Sequence, residues 1–181
     1  MKFILAALVL VATACDQGGA AAPPAETISV SQLQLTGRVV DAANVLDEAA
    51  ERSLTDRLAE IEKGTSDQVV VVTLPSLGGE PIEKVALGLG KRWGVGRADV
   101  DNGVLVVIAP TERKVRIEVG IGLEGLLTDD RAAAVIHDML PDLRAGRMPS
   151  AAGLAIDRID RLLRSNTRRP QPKPVETRDA A

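Results

Sequence analysis

Two runs of β-branched and aliphatic residues constrain this chain more than anything else in it: "QVVVVTLPS" from Gln68 and "GVLVVIAP" from Gly103. Neither alternates with polar residues. A strand that is apolar on both sides must be covered on both sides, which asks for helices above and below a sheet. Amphipathic stretches of the right period surround these runs. Ala50, Leu54, Leu58 and Ile61 share one helical face. So do Ile82, Val85, Ala86, Leu89 and Trp93, then Ala132, Val135, Ile136, Met139 and Leu140, then Ala152, Ala155, Ile156 and Ile159. Asp47 suits a helix N-cap, Gly64 a stop, Pro81 a first turn, and Thr128 or Asp129 a further N-cap.

A third strand alternates. In "KVRIEVG", Val115, Ile117 and Val119 face one way and Lys114, Arg116 and Glu118 the other. With the short turn "TER", this stretch and "GVLVVIAP" form a hairpin whose second strand lies nearer an edge. A short strand around Arg38–Asp41 precedes the first helix. The expected fold is therefore α/β: a single α/β/α sandwich with a small mixed sheet.

The ends of the chain read differently. Lys2 and "FILAALVLVATA" form a signal peptide over 1–14, too short to span a bilayer comfortably. Cys15, the single cysteine, follows Ala12-Thr13-Ala14 and resembles the acylated cysteine of a bacterial lipoprotein. Asp16 beside it resembles the signal retaining lipoproteins at the inner membrane of Gram-negative cells. The alternative is a secreted or periplasmic soluble protein cleaved after Ala14. Residues 15–36 read as a tether, 37–163 as the domain, and 164–181 as a disordered, Pro-rich tail. Without Lys2, Asp16, Glu26 and the net-basic tail, the domain is more acidic than the chain's net charge of −3. Such a balance suits cations, and Phe3 and Trp93 are the only aromatics, so nucleic acid is not an expected partner.

Three glycines, Gly120, Gly122 and Gly125, have the spacing of a dinucleotide loop. The context fails: Glu124 sits inside the motif, the next helix starts late, and the strand before it closes a hairpin. The glycines read instead as a tight strand exit, with no dinucleotide. The acids are more informative. Asp99 and Asp101 precede one hairpin strand; Glu118, Glu124, Asp129 and Asp130 end or follow its partner. Antiparallel pairing brings these ends together, so hard oxygen ligands on two loops are placed to hold Ca²⁺ or Mg²⁺. The competing reading is a helix cap at Asp129 and an Asn-Gly turn at Asn102–Gly103. "DVDNG" is neither an EF-hand loop nor an aspartyl-phosphate site. His137, alone on a helix, reads as a surface residue, and Ser76 as a loop residue. Zinc sites of the usual type and His or Cys nucleophiles lack their residues.

Taken together, "GRVVDAANVLDEAAERSLTDRLAEIEKGTSDQVVVVTLPSLGGEPIEKVA", "RWGVG", "DNGVLVVIAPTERKVRIEVGIGLEGLLTD" and "LPDLRAGR" resemble the TPM domain, over about residues 37–160. The resemblance implies an α/β/α sandwich. It also implies one of three activities: acid phosphatase, Ca²⁺ binding, or an accessory role for a membrane complex, as in the related chloroplast thylakoid proteins of photosystem II repair. The acidic positions it carries over are Asp41, Asp101, Glu118, Glu124 and Asp129, with Asn102 beside Asp101. Ile121 stands where many members have Tyr. Many bacterial members also carry a C-terminal transmembrane helix, whose place Cys15 would take here. Two functions follow as expectations: a membrane-tethered accessory domain of the cell envelope that binds a divalent cation and a membrane-protein complex, or a metal-assisted phosphomonoesterase using Arg113, Lys114 or Arg116 against phosphate.

Overall fold

The computed structural model describes residues 30–165; the signal segment, Cys15, most of the tether and nearly all of the tail lie outside the described residues. Four strands, β1 (Val39–Asp41), β2 (Gln68–Thr73), β3 (Gly103–Ala109) and β4 (Lys114–Val119), form one sheet in the order β1-β2-β3-β4. The first three are parallel and β4 runs antiparallel to β3. Four helices accompany them: α1 (Glu48–Thr65), α2 (Ile82–Trp93), α3 (Asp129–Arg144) and α4 (Met148–Arg164). Parallel neighbours need crossovers, and α1 and α2 supply them.

The two apolar runs separate two cores. Val69, Val71, Val104, Val106 and Ile108 pack with α1, α3 and α4. Val70, Val72, Leu105, Val107 and Ala109 pack with α2. The sandwich is therefore uneven, with three helices on one face and one on the other. The residues before β1 help to complete the thin side: Val30, Leu33 and Leu35 lie against the α2 core, and Trp93 Nε1 donates to the Leu33 carbonyl at 3.1 Å. From Val30 onward, the expected tether is thus docked on the domain.

Local details depart from the sequence expectation in instructive ways. Helix α1 runs through Gly64 and ends at Ser66, which takes the left-handed conformation. A Cβ at Gly64 would lie 2.6 Å from Arg164 Nη1 on α4, the far end of a flexible side chain that can swing aside. Pro81 sits at the N-cap of α2, one position before the first turn. Of the two candidate caps for α3, Thr128 holds the place, its hydroxyl accepting from Arg131 N.

Candidate functional site

Because β4 is antiparallel to the other strands, the loop entering β3 and the loop leaving β4 meet at one end of the sheet. Glycines let them meet closely. A Cβ on Gly122 would lie 1.9 Å from the Val100 carbonyl oxygen, and one on Gly120 would lie 2.2 Å from that of Asp101. A Cβ on Gly103 would fall 2.1 Å from the Val95 carbonyl oxygen. Three backbone segments, 95–96, 100–103 and 120–122, are stacked without side chains between them. Gly120 N donates to Gly103 O at 2.8 Å and Gly122 N to Asp101 O at 3.0 Å. That is the role of the glycine pattern; Gly125 faces open space.

This stack floors a cavity of about 490 Å³ whose lining includes Asp101, Glu118, Glu124, Lys91 and Arg97. Three of the six expected ligands therefore share one cavity. Asp101 takes the left-handed conformation, and its Oδ2 accepts from Ile121 N at 3.1 Å. Glu118 is half-buried beside Arg116, 3.3 Å away on its own strand. Glu124 is exposed. Arg97 is 3.0 Å from Asp99.

The other expected ligands are elsewhere or engaged. Asn102 is buried and makes no Asn-Gly turn. Its amide donates to Ser66 O at 2.6 Å and Asp67 Oδ1 at 2.9 Å, and its Oδ1 accepts from Arg97 N at 2.9 Å. It ties the end of α1 to the entrance of β3, which leaves no amide oxygen facing a ligand. Asp41 ends β1, and parallel pairing puts it beside Thr73 at the opposite end of the sheet from Asp101. Its carboxylate accepts from Leu46 N at 2.7 Å and from the Thr73 hydroxyl, building the loop into α1. Asp129 occupies the exposed first turn of α3, where a carboxylate complements the helix dipole. Among the described residues, no group of three or more His, Cys, Asp or Glu could hold a metal ion as placed. The residues as they stand do not fit a preformed divalent-cation cage.

Arg113 and Lys114 lie at the turn end of the hairpin, since Lys114 pairs with Ala109 and Val119 with Val104. Four residues of strand, roughly 13 Å, separate Lys114 from Glu118, and Asp101 and Glu124 lie beyond the strand end. Arg116 sits on the α2 side of the sheet with Glu118. His137 is exposed on α3, 3.8 Å from Asp138, and Ser76 Oγ donates to Glu112 Oε1 at 2.9 Å.

Periodicity could not reveal the most telling feature. Leu87 and Ile121 are the large hydrophobics exposed among the described residues, Ile121 by 75%. Both line the same cavity as Asp101, Glu118 and Glu124. The signal was present in part: Ile121 replaces a Tyr expected from the family resemblance.

A family model for the TPM domain matches residues 39–162, and the chain belongs to that family. No curated protein matches it. Among solved structures, the N-terminal domain of a Porphyromonas gingivalis protein ("P.gingivalis") is 32% identical with a TM-score of 0.71, over 78% of this chain and 94% of that one. The N-terminal domain of a Corynebacterium glutamicum protein is 17% identical with a TM-score of 0.54, over 81% of this chain and 90% of that one. The BA42 protein of Bizionia argentinensis is 18% identical with a TM-score of 0.59, over 66% of this chain and 82% of that one. The last two share the fold.

Proposed function

We propose that this chain is a TPM-domain docking module of the bacterial cell envelope, held to the membrane by a lipid on Cys15 and engaging a membrane-protein complex through the cavity beside the glycine stack. The observation that carries this reading is the coincidence of Leu87 and Ile121 with that cavity. A large apolar side chain left in water is ordinary when isolated, but two on one concavity describe a recognition surface. The complementary partner surface is apolar with basic groups facing Asp101, Glu118 and Glu124. A divalent cation has a secondary place in this reading: it would bind only if Glu124, on its exposed turn, moved toward the other two acids.

A photo-crosslinking residue at position 121 tests the docking face. It should give a discrete adduct in envelope fractions, while the same residue at exposed position 137 gives none. Equal labelling at both positions, or none at 121, sinks the reading. The second reading, a metal-assisted phosphomonoesterase, draws on Lys91, a cavity-lining cation with no ion pair among the described residues. It requires cation-dependent phosphomonoester hydrolysis that disappears in Asp101→Asn/Glu124→Gln.

A further inference from the structure

The free edge of β4 is self-complementary, and we propose that two copies of this chain pair through it, antiparallel, into one continuous eight-stranded sheet. This goes beyond the cavity reading and shares with it only Glu118, which lines the cavity from β4. The pairing of β4 with β3 decides which backbone groups are available. Gly120 N donates to Gly103 O, and partners across the hairpin alternate from there. Residues 114, 116 and 118 therefore turn their N–H and C=O toward β3, and Val115, Ile117 and Val119 turn theirs outward. Among the described residues, β4 has β3 as its only strand neighbour. Among the described residues, nothing else is hydrogen-bonded to those outward groups.

Side chains then select the register. Outward groups on both copies restrict antiparallel pairings to odd residues opposite odd residues. With Ile117 opposite its own counterpart, Val115 faces Val119 in both directions, giving about six backbone hydrogen bonds. The same register sets Arg116 opposite Glu118 twice, in the non-hydrogen-bonded positions where facing side chains are nearest. Sliding by two residues puts Arg116 against Arg116, though Glu118 then faces Lys114, or puts Glu118 against Glu118. One register of the three avoids facing like charges and gains two opposite-charge pairs. Charges on an edge strand ordinarily guard against pairing. Opposite signs two residues apart do not guard against a second copy; they specify how it docks. The other edge, β1, is blunted by having only three residues.

The test uses pairs of differently tagged full chains in one cell, solubilised in excess detergent, with capture on one tag and detection of the other. Wild type should co-capture wild type. Arg116→Glu with itself, and Glu118→Arg with itself, should each fall at least about fivefold, as like charges then face one another. Arg116→Glu co-expressed with Glu118→Arg should return to near the wild-type level, because each altered charge then meets its opposite. Circular dichroism melting of each variant checks that folding is retained. Absence of wild-type co-capture overturns the proposal, and so does a mixed pair no better than the two self-pairs.

Discussion

The two ends of the sheet use carboxylates in opposite ways. At the end where β1, β2 and β3 finish, acids build the loops. Asp41 accepts from Leu46 N and the Thr73 hydroxyl. Glu112 accepts from Leu77 N at 2.7 Å and Ser76 Oγ at 2.9 Å, joining the hairpin turn to the loop before α2. At the other end, glycines join the loops by direct backbone contact, and three less engaged acids line a cavity: Asp101 accepts from Ile121 N through one oxygen, Glu118 pairs with Arg116, and Glu124 is exposed. A carboxylate given in-chain donors, Asp41 on both oxygens and Glu112 on Oε1 while its buried Oε2 has no partner among the described residues, is committed to folding. One whose loop is held by other means can face a ligand. The comparison teaches that acid count along the sequence says little about a site until the backbone donors are assigned.

The largest expected effect separates the glycines. Gly122→Ala should destabilise by about 1–3 kcal/mol, since its methyl must push apart two backbone segments. Gly125→Ala should be within about 0.5 kcal/mol of wild type, having open space. Urea unfolding of both variants checks this, and equal losses would remove the glycine stack from the account.

The carboxylates come next. Asp41→Ala should cost about 1–3 kcal/mol by leaving a backbone N–H and a hydroxyl without their acceptor. Glu124→Ala, on its exposed turn, should change stability by less than about 0.5 kcal/mol. A Glu124 variant as damaging as the Asp41 variant would break the contrast between the two ends.

The smallest effect sharpens the first end alone. Donation by Leu77 N holds the Glu112 carboxyl below its ordinary pKa of 4.5, with Ser76 and Lys114 acting the same way against partial burial. A depressed folded-state pKa means that the ionised group stabilises the fold fully above about pH 4.5. That contribution is lost as pH falls through the lower folded value. Melting of wild type and Glu112→Gln, followed from pH 7 to pH 3, should show a gap that is constant near neutrality and narrows on acidification. A gap that widens with acid would reverse the assigned sign.

Much of the architecture was legible in the residues. The element order, the hairpin, the alternation of β4 and the helical stripes all follow from periodicities of two and 3.6, which depend on local geometry alone. Asp47 was legible as a cap, and the α3 cap was narrowed to Thr128 or Asp129, because a cap is satisfied within three residues. The site was legible to a lesser degree. Antiparallel pairing correctly brought Asp101, Glu118 and Glu124 to one cavity. Asp41 was not separable from them, since its position depends on the parallel direction of β1. Nor was the engagement of Asn102 visible, for its partners Ser66 and Asp67 are some 35 residues away in the chain.

By itself, then, the sequence determined what short-range physics can specify: two strands covered on both faces, helices long enough to cross over them, and a glycine-rich exit from β4. Strand pairing in three dimensions settled which end of the sheet each acid occupies, and that Gly120 and Gly122 lie against the backbone of Val100 and Asp101. Tertiary structure also left Leu87, on α2, and Ile121, at the start of a short 3-10 helix, outside both cores. The reason is that burial and hydrogen-bond saturation depend on neighbours distant along the chain, and those neighbours exist only once the strands have paired.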